Sequence, residues 1–296
     1  MAFRTVLISG RSKLDFCLNY LVIRGEKELK IHLSELSILI LESTAVSITG
    51  ALMVELIKKK VKVIFCDEKH LPCFQLIGFD DNYHSSKQIK NQIGWKETVK
   101  QEVWTAIIAD KIRNQACLLK KYNKESYAML VQYLKELTLG DKTNREGHAA
   151  KVYFNDLFGE GRRESTFYNS ALNYGYAILL SAFCREITVC GCITQIGIWH
   201  DNEFNAYNLA CDLMEPYRVI VDDMAMCLME NDVDFKHKMA NVLNGKVKIN
   251  GKTLYLDKAI ETYVKSVINA LNIGDASLIK SFSDYELPIY ENNSDV

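Results

Sequence analysis

The residues best suited to chemistry lie between positions 197 and 218, Gly-Ile-Trp-His-Asp-Asn-Glu-Phe-Asn-Ala-Tyr-Asn-Leu-Ala-Cys-Asp-Leu-Met-Glu-Pro-Tyr-Arg. His200 ends an apolar run, and a helix is expected to open after it. Asn205, Asn208, Asp212 and Glu215 follow at intervals of three, four and three, a spacing that stacks them on one helical face. Tyr207, Ala210, Cys211 and Met214 line the opposite side, with Leu209 and Leu213 beside them. The result is a narrow polar seam in a core-forming element. The ordinary explanation of such a stripe is a solvated face. Two details favour a buried or cleft-lining helix instead. The seam is built from Asn and carboxylates, without the Lys and Glu mixture of free surfaces. Pro216 also follows Glu215 directly, removing a backbone donor and disturbing the turn.

A further carboxylate stands in Arg145-Glu-Gly-His-Ala-Ala-Lys-Val-Tyr-Phe154, where Asp141 to Asn144 offer capping residues for a helix. Glu146, Ala149, Ala150 and Tyr153 share a face of that helix. The two alanines suit a tight helix crossing, and a first-turn glutamate on the surface, favoured by the helix dipole, fits the residues equally well.

The elements that must carry these groups change character along the chain. Residues 1–77 hold short β-branched runs at Val6–Ile8, Cys17–Ile23, Lys30–Leu33, Ile38–Leu41 and Val61–Cys66, which read as strands. One helix capped by Thr49 interrupts them. Residues 78–92 are polar and read as a connector. From 93 to 280 the apolar spacing is helical, as in Trp104, Ile107, Ile108 and Lys111, with one hairpin signal at Asn250-Gly251. Residues 281–296 form an acidic tail expected to be poorly ordered. The fold class is therefore α+β: a small β-rich N-terminal domain followed by a larger, mostly α-helical domain.

Composition narrows the function classes. The chain has 296 residues, 48% of them hydrophobic, and three prolines, which suits two packed domains with little linker. No apolar stretch is long enough to span a bilayer, and the N-terminus lacks signal-peptide order. A cytoplasmic protein without a membrane partner is expected. Among nine cysteines, Cys190 and Cys192 are one residue apart, which is not zinc-ligand spacing. The formal net charge of −1 argues against nucleic acid. The tail carries Asp284, Glu286, Glu291 and Asp295 and no cation, however, so the remainder is net basic. Cations cluster at Lys58–Lys62, Lys111–Lys124, Arg145 with Lys151, Arg162 with Arg163, and Lys236 with Lys238, permitting a local phosphate track.

Taken together, Glu146-Gly-His-Ala-Ala-Lys-Val-Tyr-Phe154, Asn173-Tyr-Gly-Tyr176, Gly197-Ile-Trp-His200 and Asp212-Leu-Met-Glu-Pro-Tyr-Arg218 resemble the universal CRISPR-associated integrase, the enzyme of spacer acquisition, most closely its type II-A branch. The resemblance covers nearly the whole chain. It implies that Glu146, His200 and Glu215 are the catalytic metal ligands. One imidazole and two carboxylates suit Mg²⁺ or Mn²⁺ better than zinc. Asp212 and Asn208 are expected behind the ligands, orienting them. Arg145, Lys151, Arg162, Arg163 and Arg218 are candidate phosphate contacts, each equally able to be a surface ion-pair residue. The implied reaction is direct transesterification, in which the 3′-hydroxyls of a prespacer duplex attack phosphodiesters at a CRISPR repeat. The implied partners are double-stranded DNA, a second copy bound through the β-rich domains, and a small second CRISPR-associated adaptation protein that completes a heterohexamer. In a type II setting the effector nuclease and a DNA-end-binding ring protein join them.

Two other readings share these residues. A general metal-dependent nuclease uses the same ligands without joining strands, and a non-catalytic DNA-binding scaffold needs none of them. A His-dependent hydrolase is disfavoured, because no serine or cysteine nucleophile motif accompanies His200.

Overall fold

A computed structural model describes residues 4–78, 85–159, 166–230 and 232–288. The N-terminal part is two four-stranded sheets and one helix. Its strands are β1 (Arg4–Ile8), β2 (Ser12–Cys17), β3 (Tyr20–Arg24), β4 (Glu28–His32), β5 (Leu36–Leu41), β6 (Val46–Ile48), β7 (Lys62–Cys66) and β8 (Pro72–Gln75), with α1 (Gly50–Lys58) between β6 and β7. One sheet runs β1-β5-β7-β8 and the other β4-β3-β2-β6. Thr49 caps α1 by accepting the Leu52 amide, as its sequence position suggests.

The first sheet explains why Ile38–Leu41 is apolar without alternation. β1, β5 and β7 pair in parallel, and parallel strands are usually covered on both faces. Leu39, Leu41 and Val63 point into a core with Leu14, Leu21, Ile31, Leu52 and Leu56. Ile38, Ile40 and Ile64, one residue out of step, point into the core of the helical part. Buried Lys62 reinforces the junction, with Nζ 3.1 Å from Asp257 and 3.8 Å from Glu186. The two halves thus share a sheet as a common wall.

The helical part contains α2 (Ser85–Ile93), α3 (Glu97–Lys121), α4 (Tyr127–Lys135), α5 (Arg145–Phe158), α6 (Phe167–Val189), α7 (Asn208–Met214), α8 (Arg218–Met226), α9 (Phe235–Ala240) and α10 (Leu256–Ile273). The small sheet β10-β9-β11 lies within it, from β9 (Lys246–Ile249), β10 (Lys252–Tyr255) and β11 (Phe282–Glu286). Asn250 and Gly251, both at positive φ, turn the β9–β10 hairpin.

Three expectations differ from the structure. The run Cys17–Ile23 is two antiparallel strands, broken by Leu18 and Asn19 at φ 49° and 66°. Leucine is an unusual residue for such a turn, so nothing in the residue types announces it. Residues 85–92 of the polar connector fall in α2, docked because Gln92 donates to the Ile193 and Ile196 carbonyls at 2.8 and 2.9 Å. The start of the acidic tail is ordered. β11 pairs with β9, Phe282 is buried, and the Tyr285 hydroxyl donates to Asp223 at 3.0 Å.

Candidate active site

The polar seam does not stay one helix. Asn205 lies before α7 and accepts the Tyr207 amide at 2.9 Å. After Met214 the chain tightens into a 3₁₀ turn over Glu215–Tyr217 before α8 begins. Pro216, which cannot continue the α-helical hydrogen bonding, sits at the break, and Asn114 of α3 donates to its carbonyl at 3.0 Å. Asp212 and Glu215 therefore stand on either side of a bend. Both are buried.

Asp212 organises the loop ahead of it. One of its oxygens accepts the Ile198 and Trp199 amides at 2.6 and 3.0 Å. The other accepts the His200 amide at 3.1 Å and meets His200 Nδ1 at 2.5 Å. So close a wrap requires a residue without a side chain at 197. A Cβ on Gly197 would stand 2.3 Å from the His200 carbonyl oxygen and 2.7 Å from Asp212 Oδ2. Asn208 fastens the same loop further out, donating to the Gln195 and Asn202 carbonyls at 3.0 Å each. Trp199 stacks on Trp104 of α3 at 5.6 Å, and the His200 ring meets Trp104 edge-on at 5.9 Å.

The imidazole is thus fixed with Nδ1 committed, which leaves Nε2 as the nitrogen able to take a ligand. The bond to Asp212 raises the His200 pKa above its usual value, burial opposes this, and the charges of Asp212, Glu215 and Glu146 add to the rise. Both glutamates therefore act on this ring.

Glu146 arrives from another direction. It is in the first turn of α5, whose amides are capped by Asn144, accepting the Gly147 amide at 3.3 Å, and by buried Asp141, which accepts the Arg145 and Glu146 amides at 2.7 and 2.9 Å. Its carboxylate meets Lys111 Nζ, and the same ammonium lies 2.6 Å from Glu215 Oε2. That Oε2 is buried and accepts no aligned hydrogen bond, so the lysine holds it as a charge. Oε1 of Glu215 accepts from Arg218 Nε at 2.9 Å. Burial would raise the Glu215 pKa, but the Arg218 and Lys111 charges and hydrogen bonds outweigh it and bring it down to about 2. Burial would likewise lower the Lys111 pKa, and Glu215 and Glu146 reverse that into a rise. Arg218 lies 4.8 Å over the Tyr176 ring. The hydroxyls of Tyr176 and Tyr153 donate to buried Asp222 behind it.

Glu146 and Glu215, distant in sequence, meet at one cation, and His200 is held by Asp212 beside them. Asn208 supports the loop and not the carboxylates. Of the expected phosphate contacts, Arg145 is occupied by Glu136 at 2.9 Å and lies 5.4 Å over Tyr133. Arg218 is occupied by Glu215, Lys151 is exposed on α5, and Arg162 and Arg163 lie outside the described residues. Lys111 and Asn114 were not singled out by sequence reasoning as site residues. The available signal was Lys111 itself, a charge in the apolar stripe of Trp104, Ile107 and Ile108.

The family model for the CRISPR associated protein Cas1 matches residues 6–255. The chain belongs to the Cas1 family. A curated relative from Neisseria meningitidis serogroup C (strain 8013), a CRISPR-associated endonuclease Cas1, is 33% identical over 234 residues, spanning 78% of this chain and 77% of that one. A casposase bound to integration product shares the fold with a TM-score of 0.76 at 19% identity, over 93% of each chain. The Cas6-RT-Cas1–Cas2 complex contains a chain similar at a TM-score of 0.70 and 18% identity, covering 92% of this chain and 35% of that one. Among the described residues no helix is long and apolar enough to cross a membrane.

A divalent ion suits the residue types present. Two carboxylates and an imidazole nitrogen are ligands for Mg²⁺ or Mn²⁺, Glu215 is held ionised, and its buried Oε2 answers only to a cation. Among the described residues no three His, Cys, Asp or Glu groups converge tightly enough to hold a metal as they stand. The point on which the two carboxylates close is taken by Lys111.

Proposed function

We propose that this chain is a metal-dependent DNA integrase and endonuclease of CRISPR adaptation, joining the 3′-hydroxyl ends of short duplex DNA to a CRISPR repeat by transesterification. The observation that carries this reading is the meeting of Glu146 and Glu215 at one cation position beside a histidine whose outer nitrogen is left for a ligand. Family membership and the curated relative's name as an endonuclease support the nucleic-acid chemistry.

Glu146, Glu215 and His200 Nε2 would hold Mg²⁺ or Mn²⁺. When bound, such an ion polarises a phosphodiester and stabilises charge on the attacking and departing oxygens. The protein's own contributions are positional. Asp212 fixes the ring tautomer and takes up the loop amides, and Arg218 keeps Glu215 ionised. No protein nucleophile is required, since the DNA 3′-hydroxyl attacks directly. Double-stranded DNA, a second copy meeting through the β-rich domain of residues 1–77, and a small second adaptation protein of the Cas2 type are the proposed partners, acting in the cytoplasm. The similar chain in the Cas6-RT-Cas1–Cas2 complex supports the last of these.

The test incubates the purified chain and its small partner with labelled duplex bearing free 3′-hydroxyls and a supercoiled plasmid carrying a repeat. Wild type, Glu146→Ala and Glu215→Ala are compared with Mg²⁺, Mn²⁺ or chelator. Label entering the plasmid only with metal and both carboxylates is the expected result. Cleavage without joining would make the protein a nuclease. Joining that survives both substitutions would refute the site.

A further inference from the structure

A lysine is among the residues most rarely buried, because its charge must be matched by partners. Lys111 is 7% exposed in the middle of α3. Its partners come from two other elements: Glu146 in the first turn of α5 and Glu215 in the turn after α7. The ammonium thus ties three separate parts of the chain together at the point where the preceding reading places a divalent ion.

We propose that Lys111 is a resident cation of the metal-free site, which holds Glu146 and Glu215 in register and is displaced when the divalent ion enters, so that it sets the affinity of the site for that ion. This rests on the metal-dependent reading. Charge supplies the first reason. Glu146 and Glu215 are balanced by Lys111 and Arg218, and a divalent ion on the same oxygens would lie within a few ångströms of the ammonium, where like charges repel strongly in a poorly solvated site. One of the two cations must withdraw. Arg218 is pinned through Nε to the other oxygen of Glu215 and through its face to Tyr176. Lys111 is the flexible one, with four methylenes and a compact head.

Space supplies the second reason. Lys111 borders a cavity of about 190 Å³ whose wall also includes Gln115, Tyr176 and Asp222. The ammonium can swing from the two glutamates toward that wall, where the buried Gln115 amide oxygen, which accepts no hydrogen bond among the described residues, offers an acceptor. Lys111 is therefore a positioning residue, assembling the ligands before the metal arrives and yielding afterwards.

The experiment titrates the full-length protein, without DNA, with Mn²⁺ and follows loss of the free-ion electron paramagnetic resonance signal. Thermal melts with and without Mn²⁺ run in parallel. Lys111→Met keeps the length and removes the charge. It is expected to bind Mn²⁺ about tenfold more tightly than wild type, because nothing competes for the carboxylates. Its metal-free form should melt lower, and Mn²⁺ should raise its melting temperature more than it raises that of wild type. Lys111→Gln, with a polar head, should move the same way and serves if the Met variant does not fold. Glu146→Gln and Glu215→Gln separate the two ideas. If these leave Mn²⁺ binding unchanged, the metal is not at the carboxylates and the functional reading fails together with the proposal. If they abolish binding while the Lys111 variants bind equally or more weakly, the metal site stands and the displacement proposal is overturned.

Discussion

Asp212→Asn is the most informative single change, since it alters charge and one atom while keeping the shape. Asp212 Oδ2 serves the Ile198 and Trp199 amides, and Oδ1 serves the His200 amide and ring. If the new NH₂ replaces Oδ2, two backbone donors face a donor. If it replaces Oδ1, only the His200 amide does, and the NH₂ can donate to Nδ1 instead. That second orientation costs less, yet it drives the ring proton onto Nε2, the nitrogen a metal would need. One unmade buried bond costs about 1–3 kcal/mol, and the remaining bonds lose their charge assistance. A total near 3 kcal/mol is expected, which at about 2–4 °C per kcal/mol lowers the melting temperature by roughly 6–12 °C. Mn²⁺ affinity should fall about 10–100-fold, the range for loss of a ligand's supporting partner. Calorimetry, Mn²⁺ titration and ¹⁵N spectra of the imidazole read the three effects. A variant that melts within a degree of wild type, with the same ring tautomer and the same Mn²⁺ affinity, would refute the account of the loop.

Gly197→Ala should disrupt the same wrap from the other side, because its Cβ would stand 2.3 Å from the His200 carbonyl oxygen. Strand transfer should be lost while circular dichroism keeps the wild-type helix content. Glu215 has a folded pKa lowered from 4.5 to about 2 by Arg218 and Lys111 against burial. The sign follows: its stabilisation is complete above about 4.5 and is lost as pH falls through about 2. The total is about 3 kcal/mol, so urea unfolding of metal-free protein between pH 5 and 2 should be steeper in pH for wild type than for Glu215→Gln. Lys62→Met leaves Asp257 and Glu186 short of a cation at the shared sheet and should cost about 3 kcal/mol in urea. Truncation after Lys280 removes buried Phe282 and the Tyr285–Asp223 bond. It should cost at least about 3 kcal/mol by the same measurement, and a truncated chain as stable as wild type would show that β11 contributes nothing.

Much of the fold was legible because local chemistry and tertiary structure agree. Thr49 caps α1, Asn250-Gly251 turns a hairpin, and Asn144 opens α5, each through bonds within a few residues. The unbroken apolar run Ile38–Leu41 makes sense once both sheet faces are buried. Legibility failed where a contact from far away overrides composition. The polar residues Ser85–Ile93 form a helix because Gln92 finds the carbonyls of Ile193 and Ile196. Phe282–Glu286 form a strand because β9 and Asp223 are waiting for them.

The same distinction governs the site. Asp212 and Glu215 were legible as a pair because three residues of helix place them on one face, and Pro216 marked the bend between α7 and α8. The link from Asp212 back to His200 crosses twelve positions, most of them loop, and depends on Gly197 being bare, which no spacing rule expresses. Lys111 is the sharper case. Read with Trp104, Ile107 and Ile108 it belongs to the core, and read with Arg113, Lys120 and Lys121 it belongs to a solvated basic face. The two patterns conflict at one residue, and such a conflict is a demand for buried counter-charges from elsewhere in the chain. Glu146 and Glu215 meet that demand. A lysine caught between helical periodicity and charge patterning therefore identifies the place where carboxylates from other elements must converge, before any ligand motif is considered.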